Sequence, residues 1–294
     1  MPLTQQQVDE FNEQGFLVSE DLLTPLETKA LHLRLEDIGN RVIDFPDQYV
    51  QIEPLVAKGE LPEDAVRFNN VRKIWNLTVH DELFKQYARH PKILDVVTSL
   101  IGPDLKIYVD QTLCKPPRVG SAKPPHQDSA YWTNIDPPNL VICWMALDDA
   151  TEDNGCMRFI PGSHKGPILD HHQDGHFIGA VTDPDFDDAT AEKVELAAGG
   201  ISIHHVRALH GSLPNRSPKP RRLLLFQYCA EDAWPLLGSD WDAFCGVFLR
   251  GEPCNQPRVT EVPVRLGACL GKMTKKRLRR GTLRHFFKGD LYGI

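Results

Sequence analysis

The sequence predicts an α+β fold in which N-terminal helices flank an antiparallel β sandwich or barrel. Two observations carry this expectation. Up to about residue 104 the chain is patterned as capped, amphipathic helices. From about residue 105 it breaks into short apolar runs punctuated by Pro and Gly. Helices first and strands after argue against alternating βαβ units. Size is the third observation: 294 residues, 41% hydrophobic and 25% charged, suffice for one large core without staples.

Thr4 and Gln7 form a capping box ahead of Val8 and Phe11, and Gly15 can end that helix. Thr24 and Glu27 repeat the device, with Pro25 at the first helical position. Leu31, Leu35 and Ile38 follow at i, i+4, i+7. A third helical pattern spans about 81–89. A fourth starts at Pro91, is lined by Ile93, Val96, Val97 and Leu100, and closes at Gly102.

The strand-like runs are "LKIYVDQTLC", "LVICWMAL" (140–147), "CMRFIPGSH" (156–164), "GISIHHV" (200–206) and "RLLLFQYCA" (222–230). Residues 170–190 are acidic, His-rich and turn-rich, and are expected to leave the sheets as a lid over a pocket. Asp148, Asp149, Glu152, Asp153 and Asn154 are expected to build a structural turn.

The net charge of −7 disfavours nucleic acid and anionic membrane as partners. The basic run "KMTKKRLRRGTLRHFFKG" (272–289) is expected to be a solvated helix face, with a hold on the phosphates of a coenzyme A substrate or a nucleic-acid contact as the alternatives. No apolar run reaches the roughly 18–20 residues of a membrane span. Seven cysteines are scattered without a CxxC pair, as expected of reduced thiols. The N-terminus lacks the basic and apolar regions of a signal peptide, so a cytoplasmic location is expected. The expected partner is a small molecule, and the chain is expected to be a monomer or homodimer.

The stretch "HQDSAYW" (126–132) places His126 and Asp128 two apart, the spacing that shares one face of a strand. His204, His205 and His210 are candidates for a third ligand. Two imidazoles and one carboxylate on one face of an octahedral ion leave three positions open. That set is diagnostic of non-haem Fe(II) oxygenases. Such iron needs a co-substrate to supply electrons. A 2-oxo acid chelating it would leave a distal carboxylate, which the planar fork of an arginine suits. Arg221, entering "RLLLF", is eleven residues beyond His210.

With "ALDDATEDNGCMRFIPGSHKGP" (146–167) and "LHGSLPNRSPKPRR" (209–222), these motifs resemble the phytanoyl-CoA dioxygenase family of Fe(II)/2-oxoglutarate oxygenases. The resemblance runs from "FNEQGFLV" to about residue 230. It implies a double-stranded β-helix, a cupin-like jelly roll, as the core of a single oxygenase domain. A mainly helical flank would be 1–104, the jelly-roll core 105–235, and 236–294 a C-terminal extension with the basic tail.

The resemblance implies that His126, Asp128 and His210 ligate iron and that Arg221 binds the distal carboxylate of 2-oxoglutarate. Arg222 should face the other side of its strand. Lys73 in "RKIWNL" matches the lysine that reaches the co-substrate, and Trp144 the pocket tryptophan. Gln111 stands where the family often has methionine, and Ser212 can add a hydroxyl to the same carboxylate. O₂ would take the remaining iron position. The carboxylate of Asp128 argues against a halogenase.

Tyr131, Trp132, Tyr228 and Trp234 are candidates for the substrate pocket, with core packing as the alternative. His205 is expected in strand packing or behind a ligand, and His164 in a turn. His171, His172 and His176 are expected in a solvated loop, with a second metal cluster as the alternative. The implied activity is oxidation of an aliphatic C–H, by hydroxylation first of all, with release of succinate and CO₂. Two alternatives are a Zn²⁺- or Mn²⁺-dependent isomerase or hydrolase on the same ligands and a non-catalytic binding module.

Overall fold

Thr4 and Thr24 each accept a hydrogen bond from the backbone N–H three residues on, and Gln7 and Glu27 reach back to the cap. Both expected capping boxes therefore form, opening α1 (Gln5–Gln14) and α2 (Pro25–Gly39). The computed structural model describes residues 2–20, 22–131, 135–136, 138–235, 247–254, 256 and 258. Gly15 sits at φ 84°, a left-handed cap that few other residues tolerate, and turns the chain directly into β1 (Phe16–Ser19). After α2 come β2 (Val50–Ile52), α3 (Pro54–Ala57), β3 (Val71–Trp75), α4 (Leu77–His80), α5 (Glu82–Tyr87) and α6 (Pro91–Ile101).

The strand region opens with β4 (Leu105–Lys115), β5 (Lys123–His126), β6 (Ile135–Asp136), β7 (Leu140–Ala146) and β8 (Met157–Phe159). It continues with β9 (His172–Gln173), β10 (His176–Phe177), β11 (Glu192–Val194), β12 (Ile201–His205) and β13 (His210–Ser212). β14 (Arg221–Ala230), β15 (Trp234–Pro235) and β16 (Val247–Arg250) complete it.

The third helical pattern, about 81–89, is α5, opened by Asp81, which adopts an extended conformation and whose carboxylate caps Leu83 N–H; the short α4 lies before it. The flank 1–104 is mainly helical and also contributes β1, β2 and β3, which are only 3–5 residues long and too short to show a period. β16 likewise carries the sheet beyond residue 235.

The strands form an eight-stranded antiparallel sheet, ordered β1-β12-β7-β14-β4-β3-β2 with β16 also beside β4, and a four-stranded one, β11-β8-β13-β5. One face of the large sheet packs on the helices: Leu31, Leu35, Phe84 and Ile93 meet Val141, Cys143, Phe226 and Tyr228. The other face meets the small sheet, where Ile142, Trp144 and Leu225 pack with Met157 and Phe159. β7 is buried on both faces, which is why it is a continuous apolar run without alternation.

Candidate metal centre and its cavity

β13 lies between β5 and β8 and puts His210 directly opposite His126, with ring centroids 4.2 Å apart. Gly211 makes this possible. A Cβ there would lie 3.0 Å from Lys123 O and 3.1 Å from Pro125 N, so a side chain would push the two strands apart. Strand alternation, expected to align Asp128 with His126, is not what does so. β5 ends at His126, and Asp128 opens the 3₁₀ turn Asp128–Ala130. That turn brings Asp128 Oδ1 to 3.5 Å from His126 Nε2 and Oδ2 to 3.9 Å from His210 Nε2.

Each imidazole is fixed from behind. His126 Nδ1–H donates to Pro124 O and His210 Nδ1–H to Ala208 O, both at 3.0 Å. These bonds assign the tautomer, so both Nε2 lone pairs face the Asp128 carboxylate. Burial pushes both histidines below their usual pKa, and so holds them neutral. Two lone pairs and a carboxylate converging without a proton between them fit a cation. The donor atoms of the three residues lie within 4.8 Å of one another, the one such group among the described residues.

The other histidines do other things. His204 was one candidate ligand. It is fully buried on β12, with Nε2 3.3 Å from Asp128 Oδ2, the position of a donor that holds the carboxylate from behind. Its neighbour His205 accepts Arg207 N–H through Nδ1, and burial drives its pKa to about 3. His164 contacts Asn12 O at 3.1 Å. His171, expected in a solvated loop, is instead buried and uses both nitrogens, on Leu169 O and on Gln127 N–H. His172 pairs with Asp170, and His176 is exposed. No second metal cluster gathers there among the described residues. The acidic turn is structural: Asn154 accepts from Thr151 N–H and donates to Asp149 O.

A cavity of ≈ 130 Å³ opens between the sheets. His126, Asp128 and His210 line it, and so do Arg221, Lys73, Trp144, Gln111, Ser212 and Tyr131. Arg221 is buried, and its Nε has no hydrogen-bond partner among the described residues. Burial, with Arg72 nearby, pushes its pKa down to about 9. Arg222 points the opposite way, gripping Asp148 through Nε (2.6 Å) and Nη2 (2.8 Å).

The same alternation corrects Tyr228. It shares parity with Arg222, so it packs in the helix-side core and donates to Ala88 O rather than lining the cavity. Gln227, of Arg221's parity, lines it instead; its Nε2, like Trp144 Nε1, has no partner among the described residues. Trp234 does not line it and donates to Glu231 O. Trp132 and the basic run 272–289 lie outside the described residues.

Cations that the sequence did not single out also line the cavity. Arg72 donates to Ser121 O and stands 3.9 Å from Glu53. Lys115 donates to Ser121 O and Leu213 O, and burial drives its pKa to about 6. Lys123 donates to Tyr131 Oη (2.7 Å) and Gly179 O (3.3 Å), and burial lowers its pKa to about 8. Burial, then Lys123 and Arg72, lower Lys73 to about 7. Phe177, Ile178 and Gly179 bring the 170–190 excursion into the wall.

The phytanoyl-CoA dioxygenase (PhyH) family profile matches residues 11–223. A probable alpha-ketoglutarate-dependent hypophosphite dioxygenase of Stutzerimonas stutzeri is 33% identical over 201 residues, covering 66% of this chain and 70% of that protein. Peroxisomal phytanoyl-CoA dioxygenase of Rattus norvegicus is 29% identical over 233 residues, 76% of this chain and 67% of that protein. The structure of the non-heme monooxygenase ThoJ in its apo form aligns with a TM-score of 0.64 and 26% identity, covering 86% of this chain and 89% of that one.

Proposed function

The chain belongs to the phytanoyl-CoA dioxygenase family, and on that premise we propose that it is an Fe(II)- and 2-oxoglutarate-dependent dioxygenase that hydroxylates an aliphatic C–H of a small molecule. Its two sheets are read as a double-stranded β-helix. The observation that carries the proposal is that the His126–Asp128–His210 group and the buried Arg221, with its unpartnered Nε, share one cavity. An isomerase or hydrolase would use the three ligands but would leave Arg221 without a purpose.

In this reading His126, Asp128 and His210 hold the iron through Nε2, a carboxylate oxygen and Nε2. Iron bound there would supply, with 2-oxoglutarate and O₂, the oxidising chemistry that an unactivated C–H requires, with succinate and CO₂ as by-products. Arg221 clamps the distal carboxylate of the 2-oxoglutarate, and Ser212 adds a hydroxyl to it. Lys73, Trp144 and Gln111 complete the co-substrate wall. Tyr131 stands on the substrate side. Burial of the three ligands and of Arg221 strengthens each charge-assisted contact.

A second reading is favoured by the Stutzerimonas stutzeri relative: oxidation of a P–H bond in a small phosphorus oxyanion. Succinate release is measured with and without added Fe(II), against a panel of C–H substrates and hypophosphite. Iron-dependent succinate formation is the expected result. Its absence, with Zn²⁺- or Mn²⁺-dependent turnover of another kind, would put the isomerase or hydrolase reading ahead.

A further inference from the structure

We propose that Lys123, positioned by Tyr131, and Arg72 form an oxyanion subsite on the solvent-reached side of the cavity, which recognises an anionic head group on the prime substrate. This rests on the reading in which Arg221 takes the co-substrate carboxylate. Five cationic side chains, Arg72, Lys73, Lys115, Lys123 and Arg221, line the cavity, against one lining carboxylate, Asp128. A divalent ion and a dicarboxylate cancel one another's charge, and with burial lowering Lys115 to about 6 and Lys73 to about 7, the positive charge left over falls on Arg72, Lys123 and Arg221. Lys115 is only 1% exposed and is held by two backbone carbonyls, and Lys73 and Arg221 are assigned to the co-substrate. Lys123 and Arg72 remain.

Geometry supports the same pair. Arg72, Lys123 and Tyr131 are partly exposed where Arg221 and the metal-site histidines are buried, so they are the lining residues nearer solvent. No carboxylate lies within 4.0 Å of Lys123 Nζ among the described residues, and Glu53 stands only at the limit from Arg72. An ammonium has three N–H donors. Two of those on Lys123 go to Tyr131 Oη and Gly179 O, which fix its direction and leave one for a ligand. Tyr131 Oη in turn bonds Gly179 O at 3.1 Å, tying the pair to the excursion that walls the cavity. A cation held this way, in a cavity of ≈ 130 Å³, suits a compact oxyanion: a carboxylate, or an oxyanion of phosphorus.

The test is calorimetric titration of the full chain, loaded anaerobically with Mn²⁺ and 2-oxoglutarate, with hypophosphite, propionate, coenzyme A and neutral propionamide. At least one anion should bind, and propionamide should not. Preference for hypophosphite points to a phosphorus oxyanion, for propionate to a carboxylate, and for coenzyme A to a larger phosphate-bearing substrate. Lys123→Met should weaken the bound anion by about tenfold to a hundredfold, the loss of one charge-assisted hydrogen bond. Lys123→Arg should restore most of it. Tyr131→Phe, nearly isosteric, should weaken it by several-fold. Affinity for 2-oxoglutarate should change by less than threefold in each variant.

Binding of 2-oxoglutarate without binding of any anion would overturn the subsite and leave the oxygenase reading intact. So would anion affinity indifferent to Lys123→Met, or a loss shared equally by 2-oxoglutarate. If the wild-type chain binds no 2-oxoglutarate, it is the oxygenase reading that fails.

Discussion

Parity along β14 decides the role of single residues. Arg221 faces the cavity with an unpartnered Nε, while Arg222 faces away into Asp148. Arg221→Ala should raise the KM for 2-oxoglutarate by roughly ten- to several-hundred-fold, because charge-assisted bonds contribute roughly 1.5–3 kcal/mol each and about 1.4 kcal/mol is a decade. Arg222→Ala should leave that KM unchanged and instead lower unfolding stability by about 1–3 kcal/mol, read by denaturant titration. The reverse pattern would shift the register by one. Lys73 predicts a pH effect. Its pKa is lowered to about 7 by burial, so above that pH the free protein holds it neutral. A bound dianion favours the ammonium and raises that pKa, so binding takes up a proton. Affinity for 2-oxoglutarate should therefore fall as pH rises above about 7, by at most tenfold per unit, and level off below it. Titrations at pH 8 in two buffers of different ionisation enthalpy measure the uptake; its persistence in Lys73→Met would assign it elsewhere. The positions of His126, His210 and Arg221 were legible because HxD, HG and an entering arginine are local patterns. The role of His204, named in the sequence only as a candidate ligand, and the sites of Lys123 and Arg72 were not, because they come from pairings across β12, β5 and β3 that no local spacing encodes.

Elements were legible in proportion to their local chemistry. Both capping boxes and the Pro91–Ile101 helix formed as expected, since their determinants lie within one turn. β7 and β14 were visible as apolar runs, whereas β1, β2 and β3 are strands chiefly because the large sheet extends to pair them. Asp128 shows the limit most sharply: the spacing was right and the reason was wrong, since a 3₁₀ turn rather than a pleat delivers the carboxylate. The 170–190 excursion carries the next prediction. It holds a two-residue hairpin, β9–β10, and is anchored by single bonds such as Val181 N–H to Pro125 O. It should exchange amide hydrogens faster than β7 and β14, and slow when Mn²⁺, 2-oxoglutarate and a bound oxyanion are present. Strong protection without ligand would make it a rigid wall rather than a lid.

At the scale of the whole molecule, the layers separate stability from chemistry. The helix-side core lies on one face of the large sheet and the cavity on the other. The three ligand side chains are therefore held by backbone pairing, β5 on β13, and by carbonyls of Pro124 and Ala208, rather than by an ion. Removing metal with a chelator should leave the fold and its cooperative unfolding intact. Binding still adds stability by mass action: an ion at one hundred times its Kd contributes about 2.7 kcal/mol. At roughly 2–4 °C per kcal/mol for a chain of about this size, Mn²⁺ should raise Tm by about 5–10 °C. Asp128→Asn, which keeps the shape and removes the charge, should abolish most of that rise. Differential scanning calorimetry with and without Mn²⁺, on both proteins, reads the two numbers. Unfolding on chelation would mean that the ion organises the small sheet. An undiminished Mn²⁺ shift in Asp128→Asn would place the ion at another site.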